Sequence, residues 1–281
     1  MGLQRLTTVL TILLVGGSSA LPSAPSATQR PPLSPKERRE SLMADCMKRH
    51  GFRYVQDVQP QVPLTKAQRG MVEGDYSAML ADRLKYGFRI FARYVFPNET
   101  GPNDVAGFRE HPNNATINAL SRTQAEAYFK AQAPCYAWAA QTALGRKVTS
   151  VEDLDRQVTE ALHTAHRQAH DADPLLVAKA RDFAACMAAK GRPVADPRPS
   201  QIAGETRKPL FDQLWELGRR QWPRMKGDVL PELTRFEAAP YFREERQAAL
   251  DDLECGKDFY RLFFPRSTAV GMRVAWEWGE E

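Results

Sequence analysis

Apolar residues recur along most of this chain at steps of three and four, the spacing that collects one stripe on an α-helix. The clearest run is Val151, Leu154, Val158, Leu162, Ala165 and Ala169. It follows Ser150, whose hydroxyl can accept a backbone N–H at a helix start. Ser34-Pro35-Lys36-Glu37 is a capping box with proline at the first helical position. It predicts a helix to His50 that stops at Gly51 and buries Leu42, Met43, Cys46 and Met47. A shorter helix is predicted over residues 75–86, closed by Gly87. Ser121 and Gln124 open another, which Pro134 breaks or restarts just before Cys135 and Gly145 closes. Asp173-Pro174 starts a helix through Leu176, Phe183, Cys186 and Met187 to Lys190, with Gly191 after it. Two more are predicted near 209–221 and 241–263. Residues 96–118 and the Pro-rich stretch 192–208 read as connections. Only Met272 to Trp278 alternates like a strand, and it is too short to build a sheet. The pattern predicts an all-α or nearly all-α fold, an irregular helical bundle.

The two ends of the chain depart from that pattern. Residues 1–20 place Arg5 before the apolar run 6–15 and the small residues Ser18 and Ala20 after it. A run that short does not reach the roughly 20 residues of a membrane span, and its flanks are those of a cleavable secretory signal. Pro, Ser and Ala dominate residues 21–33, which read as a flexible linker. No later stretch is apolar enough to predict a transmembrane segment, and no cysteine near the cut would carry a lipid. The expected location is secreted, extracellular or loosely associated with the cell wall.

Export changes the reading of the cysteines. Cys46, Cys135, Cys186 and Cys255 are an even number, widely spaced, with no C-x-x-C to hold zinc or make a thioredoxin-type site. Oxidising surroundings favour two disulfides. Four cysteines allow three connectivities. An internal repeat chooses among them: Ala44 to Gly51 and Ala184 to Gly191 share A-x-C-M-x-x-x-G, and each is followed by one further cysteine. The simplest pairing lies within each half, Cys46 with Cys135 and Cys186 with Cys255. The chain then divides into a signal at 1–20, a linker at 21–33, helical half 1 at 34–148, helical half 2 at 149–264 and a C-terminal tail at 265–281.

Several short segments match a known pattern: Cys46-Met47 to Gly51-Phe52, Lys85-Tyr86-Gly87-Phe88-Arg89-Ile90, Pro112-Asn113 with Leu120-Ser121 and Tyr128, Cys186-Met187 to Gly191, and Asp252 to Cys255. In these the chain resembles a family of secreted proteins and lipoproteins of streptomycete-type actinobacteria. The resemblance spans about residues 40–260. It implies export, helices and paired cysteines, and no particular reaction. Two departures stand out: Arg89 occupies the place of a second glycine, and a lipobox cysteine is lacking.

Charge and candidate chemistry narrow the function little. A net charge of +5 with both signs interspersed does not point to nucleic acid. His163, His166 and His170 share a helix flank, but His163 and His170 are too far apart for one ion. No metal site is expected; His166 and His170, at i and i+4, come nearest, with Asp173, His50 or His111 needed as further ligands. Trp215, Arg219, Arg220, Trp222 and Arg224 mix cations with indoles and are the candidate ligand-binding set, the competing reading being an ordinary solvated face. Trp276 and Trp278 could mark a partner-binding strand. No G-x-S-x-G or recognisable cysteine nucleophile occurs. Carboxylates such as Glu152, Asp153, Glu216 and Glu254 are plentiful, but catalytic residues cannot be picked from the sequence. The expectation is a non-enzymatic binding or structural component at the cell envelope, without a cofactor. Its expected partners are anionic wall polymers or another envelope protein. The alternative is an extracellular hydrolase assembled from dispersed carboxylates and histidines.

Overall fold

The computed structural model describes residues 32–58, 63–100 and 110–280. The predicted signal, the linker up to residue 31 and residues 101–109 of the predicted 96–118 connection lie outside the described residues. Among those described, twelve helices form and no strand does. In chain order they are α1 (Pro35–Arg49), α2 (Lys66–Val72), α3 (Tyr76–Tyr86), α4 (Ala92–Val95), α5 (Pro97–Thr100), α6 (Asn114–Asn118), α7 (Arg122–Leu144), α8 (Val151–His170), α9 (Pro174–Ala189), α10 (Ile202–Glu205), α11 (Lys208–Gln221) and α12 (Arg235–Trp278). The all-α expectation holds.

The starts of these helices are written in local chemistry. Ser34, Ser121, Ser150 and Asp173 each accept a backbone N–H of the following turn, as read from the sequence, and Asp75 does the same ahead of α3. Thr65 and Gln68 form the same reciprocal box ahead of α2, a helix the pattern did not predict. That helix is one of short pieces: it is seven residues long and buries no side chain fully, so it leaves no apolar stripe to detect.

Both disulfides join the expected cysteines. Cys46 on α1 bonds Cys135 on α7, and Cys186 on α9 bonds Cys255 on α12. The two C-M-x-x-x-G segments end their helices alike. His50 and Lys190 donate back to the carbonyls of Cys46 and Cys186, and Phe52 and Arg192 donate to those of Met47 and Met187. Gly51 and Gly191 both take positive φ, the left-handed turn that closes such a cap. Met47 and Met187 are buried beside the bridges.

α12 is the spine. At 1.5 Å per residue its 44 residues extend about 66 Å. It packs on α9, α3, α8, α4 and α2 along its length and reaches α1 at its end, where Arg39 Nη1 meets Glu280 Oε1 at 2.5 Å. α3, from the first predicted half, puts Met79 into the same core as Leu176, Phe183, Met187 and Tyr260 of the second. Residues 33–281 are therefore one compact unit, and the two halves are not separate bodies.

Two sequence expectations are corrected at the C-terminal end. Of the expected tail at 265–281, residues 265–278 are helix, and 272–278 is not a strand: α12 runs through Pro265 to Trp278 and closes at Gly279. Val270, Val274 and Trp278, four residues apart, pack against Ala140, Val148, Leu154 and Ala165. The alternation of Met272 to Trp278 concealed this helical period. Pro134 likewise does not break α7. Pro134, Pro240 and Pro265 are all exposed, so the carbonyl each leaves without an N–H faces water and the helix persists on its packed side.

Candidate functional site

The segment from Tyr86 to Ala92 turns sharply between α3 and α4. Gly87 stands at φ +59, and a Cβ there would lie 3.0 Å from Glu245 Cγ. The Glu245 carboxylate, fully buried on α12, accepts the N–H groups of Ile90 at 2.8 Å and Phe91 at 2.6 Å. Burial raises its pKa, and these backbone donors pull the other way. Arg89 takes φ +66, an uncommon conformation for a residue with a side chain. Its guanidinium pairs with Asp82 and lies 4.2 Å from the Tyr86 ring centre. The left-handed backbone gives a physical reason for a glycine at this place.

Behind the turn, Arg83 of α3 reaches into α12. It forms a buried ion pair with Asp252 and donates to the carbonyl of Ala249 at 2.8 Å. The Tyr260 hydroxyl donates to both Asp252 oxygens, at 2.9 and 2.8 Å. Burial works against the charge of Arg83, and the attraction of Asp252 together with Tyr260 more than offsets it, so its pKa rises. Beside this network Gly256 lets Phe183 and Tyr260 approach: a Cβ there would meet Phe183 Cζ at 2.9 Å.

The turn and network wall a cleft of about 220 Å³, partly open to solvent. Met71, Val72, Met79, Phe88 and Phe264 line it together with Asp82, Arg83, Arg89 and Arg207. The Phe88 ring centre lies 5.2 Å from the Arg83 guanidinium and 5.1 Å from that of Arg207. Arg83 and Arg89 each have a carboxylate partner. Arg207, at the N-cap of α11, forms no ion pair among the described residues, and its buried Nε has no acceptor. Buried guanidinium donors are ordinarily satisfied. A broader groove of about 890 Å³ along α2 and α3 shares Met71 and Asp82 with this cleft.

The other candidates fall elsewhere. Trp215 is partly buried, stacked on Phe211 at 6.1 Å and packed on the core, whereas Trp222 is exposed at the end of α11. Arg219 and Arg220 both bridge to Glu216, and Arg224 is exposed in the connection that follows. His163 is exposed, and His166 and His170 have ring centres 5.3 Å apart. His170 is 0% exposed against Phe263, with both ring nitrogens unpartnered. Burial lowers the pKa of both His166 and His170. None of the expected helpers joins them. Asp173 caps α9 and meets Arg266, His111 Nδ1 accepts from the Asn113 N–H, and His50 lies against the Cys46–Cys135 bridge, whose bonded sulfurs offer no thiolate. The carboxylates stay dispersed: Glu152 and Asp153 in the first turn of α8, Glu216 on α11, and Glu254 on α12 with Lys190.

The cleft itself was not anticipated. Its walls come from α2, α3, the 87–91 turn, the start of α11 and α12, so no local pattern announces it. Gly87 and Asp252 did stand in segments the sequence singled out. Comparison with protein-family models, with curated proteins and with solved structures gave no match.

Proposed function

We propose that the chain acts after export as a non-enzymatic binding component of the cell envelope, with the cleft beneath the 87–91 turn as its ligand site. One observation carries the binding reading: Arg207, without a carboxylate partner, stands on the wall of a preformed cavity with Nε buried and unsatisfied. A guanidinium that no carboxylate neutralises, on the wall of a preformed cleft, favours an anionic ligand.

Rigidity supports the same reading. The Cys186–Cys255 bridge, the buried Arg83–Asp252 pair and the Glu245 contacts fix the walls before a ligand arrives. A preformed site loses less conformational freedom on binding. Export is supported by the signal-like residues 1–20 and by two disulfides, which persist in oxidising compartments. The matching C-M-x-x-x-G helix ends support reading the chain as two weakly related halves grown into one body. Anionic wall material is the partner class that fits this charge; a cleft of this size admits an end group or a small acid.

The mature, oxidised protein should retain anionic material from a cell-envelope extract at low salt, identified by mass spectrometry, and Arg207→Gln should not. Equal retention by both proteins, or none by either, would overturn the proposal.

A further inference from the structure

The lining of the cleft decides more than the sign of its ligand. An engineered cavity of about 150 Å³ holds benzene, so about 220 Å³ admits one six-membered ring with a few further heavy atoms. Met71, Met79, Phe88 and Phe264 offer thioether and ring contacts of the kind that hold a flat apolar body. Arg207 offers the one guanidinium at the cleft without a carboxylate partner, since Asp82 is held by Arg89 and Asp252 by Arg83. A guanidinium presents its donors as a planar fork that fits the two oxygens of a carboxylate. Phosphate would engage the same fork but would leave the apolar surface of Met71, Phe88 and Phe264 uncovered.

Resting on the binding reading above, the geometry points to a small aryl carboxylate as the ligand, its ring among Phe88, Phe264 and Met79 and its carboxylate on Arg207. The ring fills the apolar part of the cleft, and the carboxylate gives the Arg207 guanidinium the anionic partner it lacks. The specificity rests on both parts together. A neutral ring leaves the guanidinium unsatisfied, and a compact anion leaves the apolar wall uncovered.

Calorimetric titration of the mature, oxidised protein with phenylacetate, 2-phenylethanol and inorganic phosphate tests this. Phenylacetate should bind one to one, 2-phenylethanol at least tenfold more weakly, and phosphate without measurable heat. Arg207→Gln should lose at least tenfold for phenylacetate, with Arg207→Lys between it and the parent. A thermal melt of each variant shows whether it is folded before its titration is read. Equal affinity for 2-phenylethanol, undiminished binding by Arg207→Gln, tighter binding of phosphate, or no binding by any probe would overturn the assignment. If envelope material is still retained in an Arg207-dependent way while phenylacetate does not bind, the ligand class fails and the binding reading stands. Loss of both sinks both.

Discussion

Arg89 holds a conformation that suits glycine, and its side chain helps to hold it there. The left-handed backbone costs an L-residue roughly 1–2 kcal/mol, against which the guanidinium gains a partner in Asp82 and a ring in Tyr86. Arg89→Ala keeps the strain and loses the contacts, whereas Arg89→Gly loses both. In urea unfolding the glycine variant should be more stable than the alanine variant by about 1 kcal/mol; alanine equal to or better than glycine would show that the turn is unstrained. His170 is a second isolated conflict. It is buried with neither ring nitrogen partnered, facing Phe263, His166, Asp171 and Arg266, and its pKa lies below the ordinary imidazole value. The unfolded chain takes up this proton near pH 6.5, the folded chain only at lower pH. Stability is therefore full above about pH 6.5 and declines below it, by at most about 1.4 kcal/mol per pH unit for each such proton. His170→Leu should flatten the fall in melting temperature between about pH 6.5 and 5. An unchanged slope would place the acid sensitivity elsewhere.

The bridges tie helices whose separation in sequence is large. Each closes a long loop, 89 residues for Cys46–Cys135 and 69 for Cys186–Cys255. Chain-entropy arithmetic puts the upper gain at roughly 4–5 kcal/mol for each, and removing a native bridge typically costs 2–5. Replacing either pair by alanine should cost roughly 2–5 kcal/mol in chemical denaturation. The Cys186–Cys255 variant should also weaken retention of envelope material, because that bridge joins α9 to the α12 segment behind the cleft. Retention unchanged in a folded variant would show that this clamp does not shape the site. These bridges, and the starts of α1, α3, α7, α8 and α9, were legible in the sequence because caps and the C-M-x-x-x-G segments act over four to eight residues. Whether a proline ends a helix was not, because Pro134, Pro240 and Pro265 are tolerated by facing water, which depends on packing elsewhere. The cleft was illegible for a related reason. Met71, Phe88, Arg207 and Phe264 meet only after α12 has gathered their elements.

That gathering makes the end of α12 matter far from where it lies. Trp278 fills the core shared by α7, α8 and α12, with Arg146 3.9 Å above its ring. The next turn touches α1 through the Arg39–Glu280 pair. The same continuous helix carries Tyr260 and Phe263 in the core around α9 and α3. Loosening one end should then lower the stability of the whole unit. Trp278→Ala removes a large, almost fully buried ring, a change that costs about 3–5 kcal/mol in comparable cores. If residues 33–281 unfold together, hydrogen exchange should accelerate in α9 and α3 as well as in α1, α7 and α8, and thermal unfolding should remain a single transition. If α9 and α3 keep their protection while α1 and α7 lose it, the cooperative unit is smaller than the compact body. The cleft, whose walls lie on the protected side, would then survive damage at the other end, and the same variant would retain envelope material at the parent's level. Cooperative unfolding predicts the opposite pairing: at a temperature where the variant is partly unfolded, protection in α9 and retention of the ligand fall together.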